Sequence, residues 1–222
     1  MKTLLRAAAI TFASTALVAG GAVTTGAVAA PGDSASVTIQ PVTLATSKYA
    51  TTTSVPVSVA TSRTNLSSIV ATVTVNGVPK ADVSLSRFST LFSYQQAWGA
   101  GVVALVNFRE TNGQPVAGAS NQVNFRYGVN SADGAQIRKV GKKLTFKIKV
   151  RYIGANLRPV GIRKVTLQVK RGSKWRTVKK VNLKKNGTKT VKATEKKKRH
   201  YRIVVKDTSL YQGTIFQTRN KI

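Results

Sequence analysis

The stretch Leu144-Thr145-Phe146-Lys147-Ile148-Lys149-Val150-Arg151-Tyr152 decides the fold. Apolar side chains stand at every second position, and polar or cationic ones fill the gaps. Successive Cβ atoms of a β-strand point to opposite faces. This spacing therefore gathers Leu144, Phe146, Ile148, Val150 and Tyr152 on one face and Thr145, Lys147, Lys149 and Arg151 on the other. Wound as a helix, the same residues would scatter around every side. The segment reads as a strand with one buried face.

The same two-residue period extends outward in both directions. Val165, Leu167 and Val169 repeat it, as do Tyr201, Ile203 and Val205, with His200, Arg202 and Lys206 outward. Trp175, Val181 and Leu183 lie on the next strand pair, where Val178 is out of phase and marks a bulge. Asn186-Gly187 reads as a hairpin turn. Toward the N-terminus, Val55, Val57 and Val59 alternate with polar residues. Ile69, Ala71, Val73 and Val75 alternate with Val70, Thr72 and Thr74 before Asn76-Gly77, which supplies the positive φ of a tight hairpin. Val83 and Leu85 follow. Val102–Phe108 is a more continuous apolar run, as a central strand requires. Asn112-Gly113 marks a further turn, and Val123, Phe125 and Tyr127 alternate after it. Helical spacing is absent from this region. Short alternating strands separated by turn signals predict an all-β chain of two-sheet sandwiches.

Charge divides the chain. Residues 31–130 carry six basic and three acidic side chains, whereas residues 131–222 carry 28 basic and three acidic, a net of +25. The shift falls across Asn130-Ser131-Ala132-Asp133-Gly134 and predicts a boundary there. The expected organisation is residues 1–29 as a signal peptide, 30–130 as a first sandwich and 131–222 as a second, strongly basic one. Met1–Ala30 has a positive start (Lys2, Arg6), an apolar stretch and the small-residue end Ala27-Val28-Ala29-Ala30, with cleavage expected near Ala29. The chain is thus expected to be secreted or associated with the cell envelope. It contains no cysteine, so disulfides and thiolate chemistry are excluded and stability must come from packing.

The runs Val165–Lys170, Lys174–Val178, Asn186-Gly187, Tyr201-Arg202 and Tyr211-Gln212-Gly213 resemble the immunoglobulin-like modules of secreted actinobacterial proteins. The resemblance covers roughly residues 142–218, and the first half is similar to a divergent relative. It implies two tandem immunoglobulin-like antiparallel β-sandwiches. It implies no activity, because such modules serve many roles. The abundance of lysine departs from the pattern of that family.

Catalysis is not expected. His200 is the one histidine, and Asp207 lies seven residues on, about 23 Å away along an extended strand. The acids Asp33, Asp82, Glu110, Asp133, Glu195 and Asp207 are scattered. A glycosidase needs two carboxylates within ~5–10 Å, calcium about 6–8 oxygens, and zinc several N, O or S ligands. No cofactor and no metal are expected.

The composition points instead to binding. With 36 Lys+Arg against 6 Asp+Glu the net charge is +30, which favours a monomer through self-repulsion and attracts polyanions. The candidate contacts are Lys147, Lys149, Arg151, Lys164, Lys170, Lys174, Arg176, Lys180 and Arg202 on outward positions, and Lys196-Lys197-Lys198-Arg199 in a turn. A polyanion would supply the counter-charge that three acids cannot; charge that serves solubility alone is the alternative. Anionic wall or envelope polymers are the expected partners, with nucleic acid as the other candidate. The aromatics Phe146, Tyr152, Trp175 and Tyr201 fall on inward parity and are expected in the core, which counts against base stacking. A membrane-active role lacks an amphipathic helix. In the first half, Tyr94 and Trp98 around Gln95-Gln96 are a candidate carbohydrate-stacking pair, with burial in the core as the competing expectation.

Overall fold

The computed structural model describes residues 33–62, 68–88, 90–130 and 132–222. The expected signal peptide (1–29) lies outside the described residues. Nine strands span the first part: β1 (Ser34–Ile39), β2 (Thr43–Leu44), β3 (Thr52–Thr61), β4 (Ser68–Val75), β5 (Val78–Ser86), β6 (Leu91–Gln95), β7 (Gly101–Glu110), β8 (Ala117–Ser120) and β9 (Val123–Tyr127). Nine more follow: β10 (Gly134–Val140), β11 (Lys143–Lys149), β12 (Arg151–Ile153), β13 (Pro159–Gly161), β14 (Lys164–Arg171), β15 (Lys174–Asn182), β16 (Thr188–Thr194), β17 (Tyr201–Val205) and β18 (Thr214–Gln217). A single 3-10 turn, Gln96–Trp98, is the one helical element among the described residues. The chain is all-β.

Strands β6-β3-β1-β8 form one sheet and β2-β9-β7-β4-β5 another, and their apolar faces share a cluster that includes Val37, Ile39, Val55, Ile69, Leu105 and Phe125. In the second part, β10-β11-β16 and β15-β14-β17-β18 enclose a separate cluster built on Leu144, Phe146, Ile148, Val165, Leu167 and Ile203. The deciding stretch behaves as its period requires. Leu144, Phe146, Ile148 and Val150 are buried, and Lys147 and Lys149 are exposed. Phe146 meets Tyr201 edge to face at 5.2 Å across the core.

Most pairings are antiparallel, but β1–β8 and β2–β9 pair in parallel, which corrects a purely antiparallel expectation. Both parallel pairs join strands far apart in sequence, so long crossovers precede them as parallel pairing demands. Asn76-Gly77 closes the β4–β5 hairpin with φ of 52° and 77°, the positive values at both central residues that match the strand twist. Asn186-Gly187 does something different from a hairpin. It carries the chain from β15 to β16, which belong to different sheets. There Gly187 lies so close to Gly161 that a Cβ on Gly161 would sit 2.2 Å from the Gly187 nitrogen.

Two bulges reset the parity. The β14–β15 register shifts between Leu167 and Gln168, leaving Val178 as the extra residue. Left-handed Asn107 (φ 52°) accompanies a similar shift against β4, so Val106 faces out while Phe108 turns in.

The two parts are stitched together. Tyr127, Tyr152 and Tyr211 stack at 5.0 and 5.8 Å with interplanar angles of 16° and 24°. Tyr152 and Tyr211 pack against both apolar clusters. Around them Tyr127 N–H donates to Leu210 O, Gln212 N–H to Tyr127 O, and Arg126 pairs with Asp207 at 2.9 Å. Gln96, fully buried, donates from Nε2 to Ile153 O at 3.1 Å. Tyr152 is thus a joint residue, half-buried, where inward parity predicted simple core.

Candidate functional site

Strand register assigns each candidate cation to a surface, since directly opposed residues share a face. Lys147 stands opposite Gln136 and Thr190, and Lys149 opposite Gly134 and Thr188, on the outer face of β10-β11-β16. Lys180 lies opposite Thr166, and Lys170 opposite Trp175, on the outer face of the other sheet, with Lys164 at the start of β14. The two outer faces look away from each other across the shared core. Lys174 sits at the β14–β15 turn, and Lys196, Lys197 and Lys198 project from the loop after β16; all of these lysines are exposed. The cations form a shell around the second part, not one docking face.

The candidate arginines divide differently. Arg151 is not a free outward cation. Its Nε and Nη2 donate to the two oxygens of Asp133 at 3.0 and 2.8 Å, with side chains 22% and 1% exposed. This fork keeps the guanidinium more firmly charged than usual. Arg199 is also engaged: Nε meets Glu195 at 3.1 Å, and Arg171 approaches the same oxygen at 3.9 Å. The Lys197 N–H on Glu195 Oε1, with Arg199 and Arg171 adding to it, holds this carboxyl below the usual range. Arg202 lies over the Trp175 ring, 4.3 Å from its centroid, and donates from Nε to Gln168 Oε1 at 2.7 Å. Arg176 is exposed but stands opposite core-facing Val169, overhanging the rim of the core side.

The expected core position of Trp175 is therefore corrected. Trp175 pairs with Lys170 on the outward face and is half-buried under Arg202. The extra residue at Val178 is the cause: one residue slips the period and turns Trp175 out and Arg176 inward.

The carbohydrate-stacking pair is overturned as well. Tyr94 is fully buried, donates from its hydroxyl to Gly99 O at 2.7 Å and packs edge to face against Phe125 and Trp98. Trp98 is half-buried against the same cluster, 5.0 Å from Tyr94. Burial raises the Tyr94 phenol well above its usual range. Tyr94 is not free to stack on a sugar, and Trp98 is partly covered by the core.

Among the described residues, every ion pair employs an arginine and none a lysine. The three acids beyond residue 131 are all spent this way: Asp133 on Arg151, Glu195 on Arg199 and Arg171, and Asp207 on Arg126. The division follows from the side chains. A guanidinium fork matches a carboxylate in two contacts, whereas an ammonium is a compact, strongly hydrated charge that prefers solvent. Two lysines on core parity serve the backbone: Lys139 Nζ donates to the carbonyls of Lys196 and Lys197, and Lys189 Nζ to that of Asn182. Among the described residues no three His, Cys, Asp or Glu side chains gather as metal ligands.

No family model matches this chain, and no curated protein is matched. Among solved structures, one reported as structural insight into host cell surface retention of a 1.5-MDa bacterial ice-binding adhesin aligns at 12% identity and a TM-score of 0.27. This chain covers 63% of that structure's length, and 84% of this chain is aligned. A purple acid phosphatase isolated from yellow lupin (Lupinus luteus) seeds aligns at 12% identity and a TM-score of 0.26, over 83% of this chain and 40% of that one. Scores this low carry no inference about family or activity.

Proposed function

We propose that the chain is an exported, non-catalytic polyanion-binding protein that associates electrostatically with anionic cell-envelope polymers. In this reading residues 1–29 are a cleaved signal peptide. Residues 30–130 and 131–222 are tandem immunoglobulin-like sandwiches, and the second supplies the binding surface. One observation carries the reading. Residues 131–222 include 19 lysines, and the three carboxylates of the same segment are already committed to arginines. Uncompensated ammonium groups on both outer faces attract a flexible polyanion and release its condensed counterions. A shell suits a polymer that wraps better than a rigid ligand that docks.

A second reading, an extracellular nucleic-acid binder, is favoured by Trp175, an indole on an outer face between Lys170 and Arg202. Stacking of a base on an aromatic beside cations is the usual grip on single strands.

The test is retention on purified cell wall and on DNA as salt rises. The envelope reading expects retention on wall to outlast that on DNA. Equal, steep loss from both supports would mean unselective electrostatics and defeat it.

A further inference from the structure

We infer that the hollow between the β14–β15 turn and the loop Glu195–His200 is a seat for a compact phosphate-class oxyanion. This rests on the polyanion reading above and names a site within it. The hollow has a volume of about 310 Å3 and is lined by Lys170, Gly172, Lys198, Arg199, His200 and Lys221. That is room for roughly ten waters, enough for a short phosphate chain. No aspartate or glutamate lines it. Glu195, at the start of the loop, has Oε2 on Arg199 and Arg171 and Oε1 on the Lys197 N–H, so it leaves the lysines uncompensated.

The loop is braced before any ligand arrives. Glu195 N–H donates to Lys142 O, Lys139 Nζ ties down the carbonyls of Lys196 and Lys197, and Arg199 and Ile222 exchange two backbone bonds of 2.9 Å. Lys170 N–H donates to His200 O at 2.9 Å, which joins the loop to β14. Lys198 and His200 therefore stand on fixed backbone, and binding costs less ordering than on a free loop. His200 Nδ1 is enclosed and has no hydrogen-bond partner in the protein. The ring lines the hollow, but this nitrogen is closed off by protein, so the cations rather than the imidazole hold an occupant. Ammonium donors that act as point charges suit a tetrahedral oxyanion, while Arg199 already spends its Nε on Glu195. Lys164 and Lys180, on the open outer face of β14 and β15, stand opposite Asn182 and Thr166 and lack this convergence.

His200 is the only histidine, so the full chain reports on the hollow through a single imidazole resonance. The resonance is followed during titration with inorganic tripolyphosphate at constant pH and ionic strength. A saturable shift is expected. K198A/K221A should weaken the apparent affinity by about tenfold or more, the scale of losing charge-assisted contacts. K164A/K180A removes the same charge from the open outer face of β14 and β15 and should change it by less than about threefold, as screened distant charges do. Equal weakening by both pairs, or an unmoved resonance, overturns the seat. If long-chain polyphosphate still binds in that case, the wider polyanion reading survives; if it does not, both fail. Single-stranded oligo-dT as competitor then separates the sources. Displacement of tripolyphosphate means that the seat accepts phosphodiesters, and its absence means that it takes free phosphate chains alone.

Discussion

Removing Arg151 should cost more stability than removing Asp133, although the two form one ion pair. The pair makes two charge-assisted hydrogen bonds, at 3.0 and 2.8 Å, but its members differ in their access to water. Asp133 is 1% exposed and Arg151 22%. In D133A the guanidinium keeps a path to solvent and recovers part of its lost bonding from water. The expected cost is about 2–3 kcal/mol, at the lower end of two charged hydrogen bonds. In R151A a carboxylate is left enclosed without its counter-ion, and the expected cost is about 3–5 kcal/mol. The double variant should then be less destabilised than R151A alone, because removing the stranded carboxylate removes the penalty. Urea unfolding at neutral pH, followed by circular dichroism, supplies the four values of the cycle. Equal costs for the two single variants, or a double variant at their sum, would refute the reasoning that enclosure of Asp133 sets the balance.

Acid should loosen the loop after β16. The carboxyl of Glu195 is held below its ordinary range by the Lys197 N–H and then by Arg199 and Arg171, so its contribution is complete above the ordinary glutamate pKa of ~4.3 and is lost as pH falls through the lowered native value. Amide exchange at Lys197, corrected for intrinsic rate, should show protection disappearing in that window, and E195Q should show the loss already at neutral pH. At the other face, R202M should increase exposure of the Trp175 ring and cost about 0.5–1 kcal/mol. Fluorescence quenching by iodide reads the exposure, and an unchanged quenching constant would contradict the stacked geometry.

The fold was legible wherever a strand kept strict alternation. Leu144 to Val150 could be assigned face by face because one side is buried and the other is wet. Legibility failed at single-residue insertions. Val178 was recognisable as out of phase, yet its consequence for Trp175 required propagating the slip along the strand, and Asn107 has the same effect between Val106 and Phe108. The surface charge was legible as composition, but its allocation was not. Nothing local marks Asp133 as the partner of Arg151, since that pairing depends on how β10 and β12 meet in space. Glu195 and Arg199 were closer to view, four residues apart, but the spacing signals a pair only where the backbone winds back on itself. Tyr94 and Trp98 misled because aromatic residues look alike whether they line a core or a binding face; the buried Gln96 between them, reaching for Ile153, shows that they belong to a seam.

The free margin of β15 carries a consequence unconnected with any ligand. β15 ends its sheet, and its far edge offers unpaired backbone groups of the kind that recruit foreign strands. Lys174, Arg176, Lys179 and Lys180 are spaced along that strand and exposed. A second molecule approaching edge to edge would bring its own row of ammonium and guanidinium groups against these. The border is thereby closed to self-templating, and a protein without a single cysteine to staple it can be crowded without fusing into fibrils.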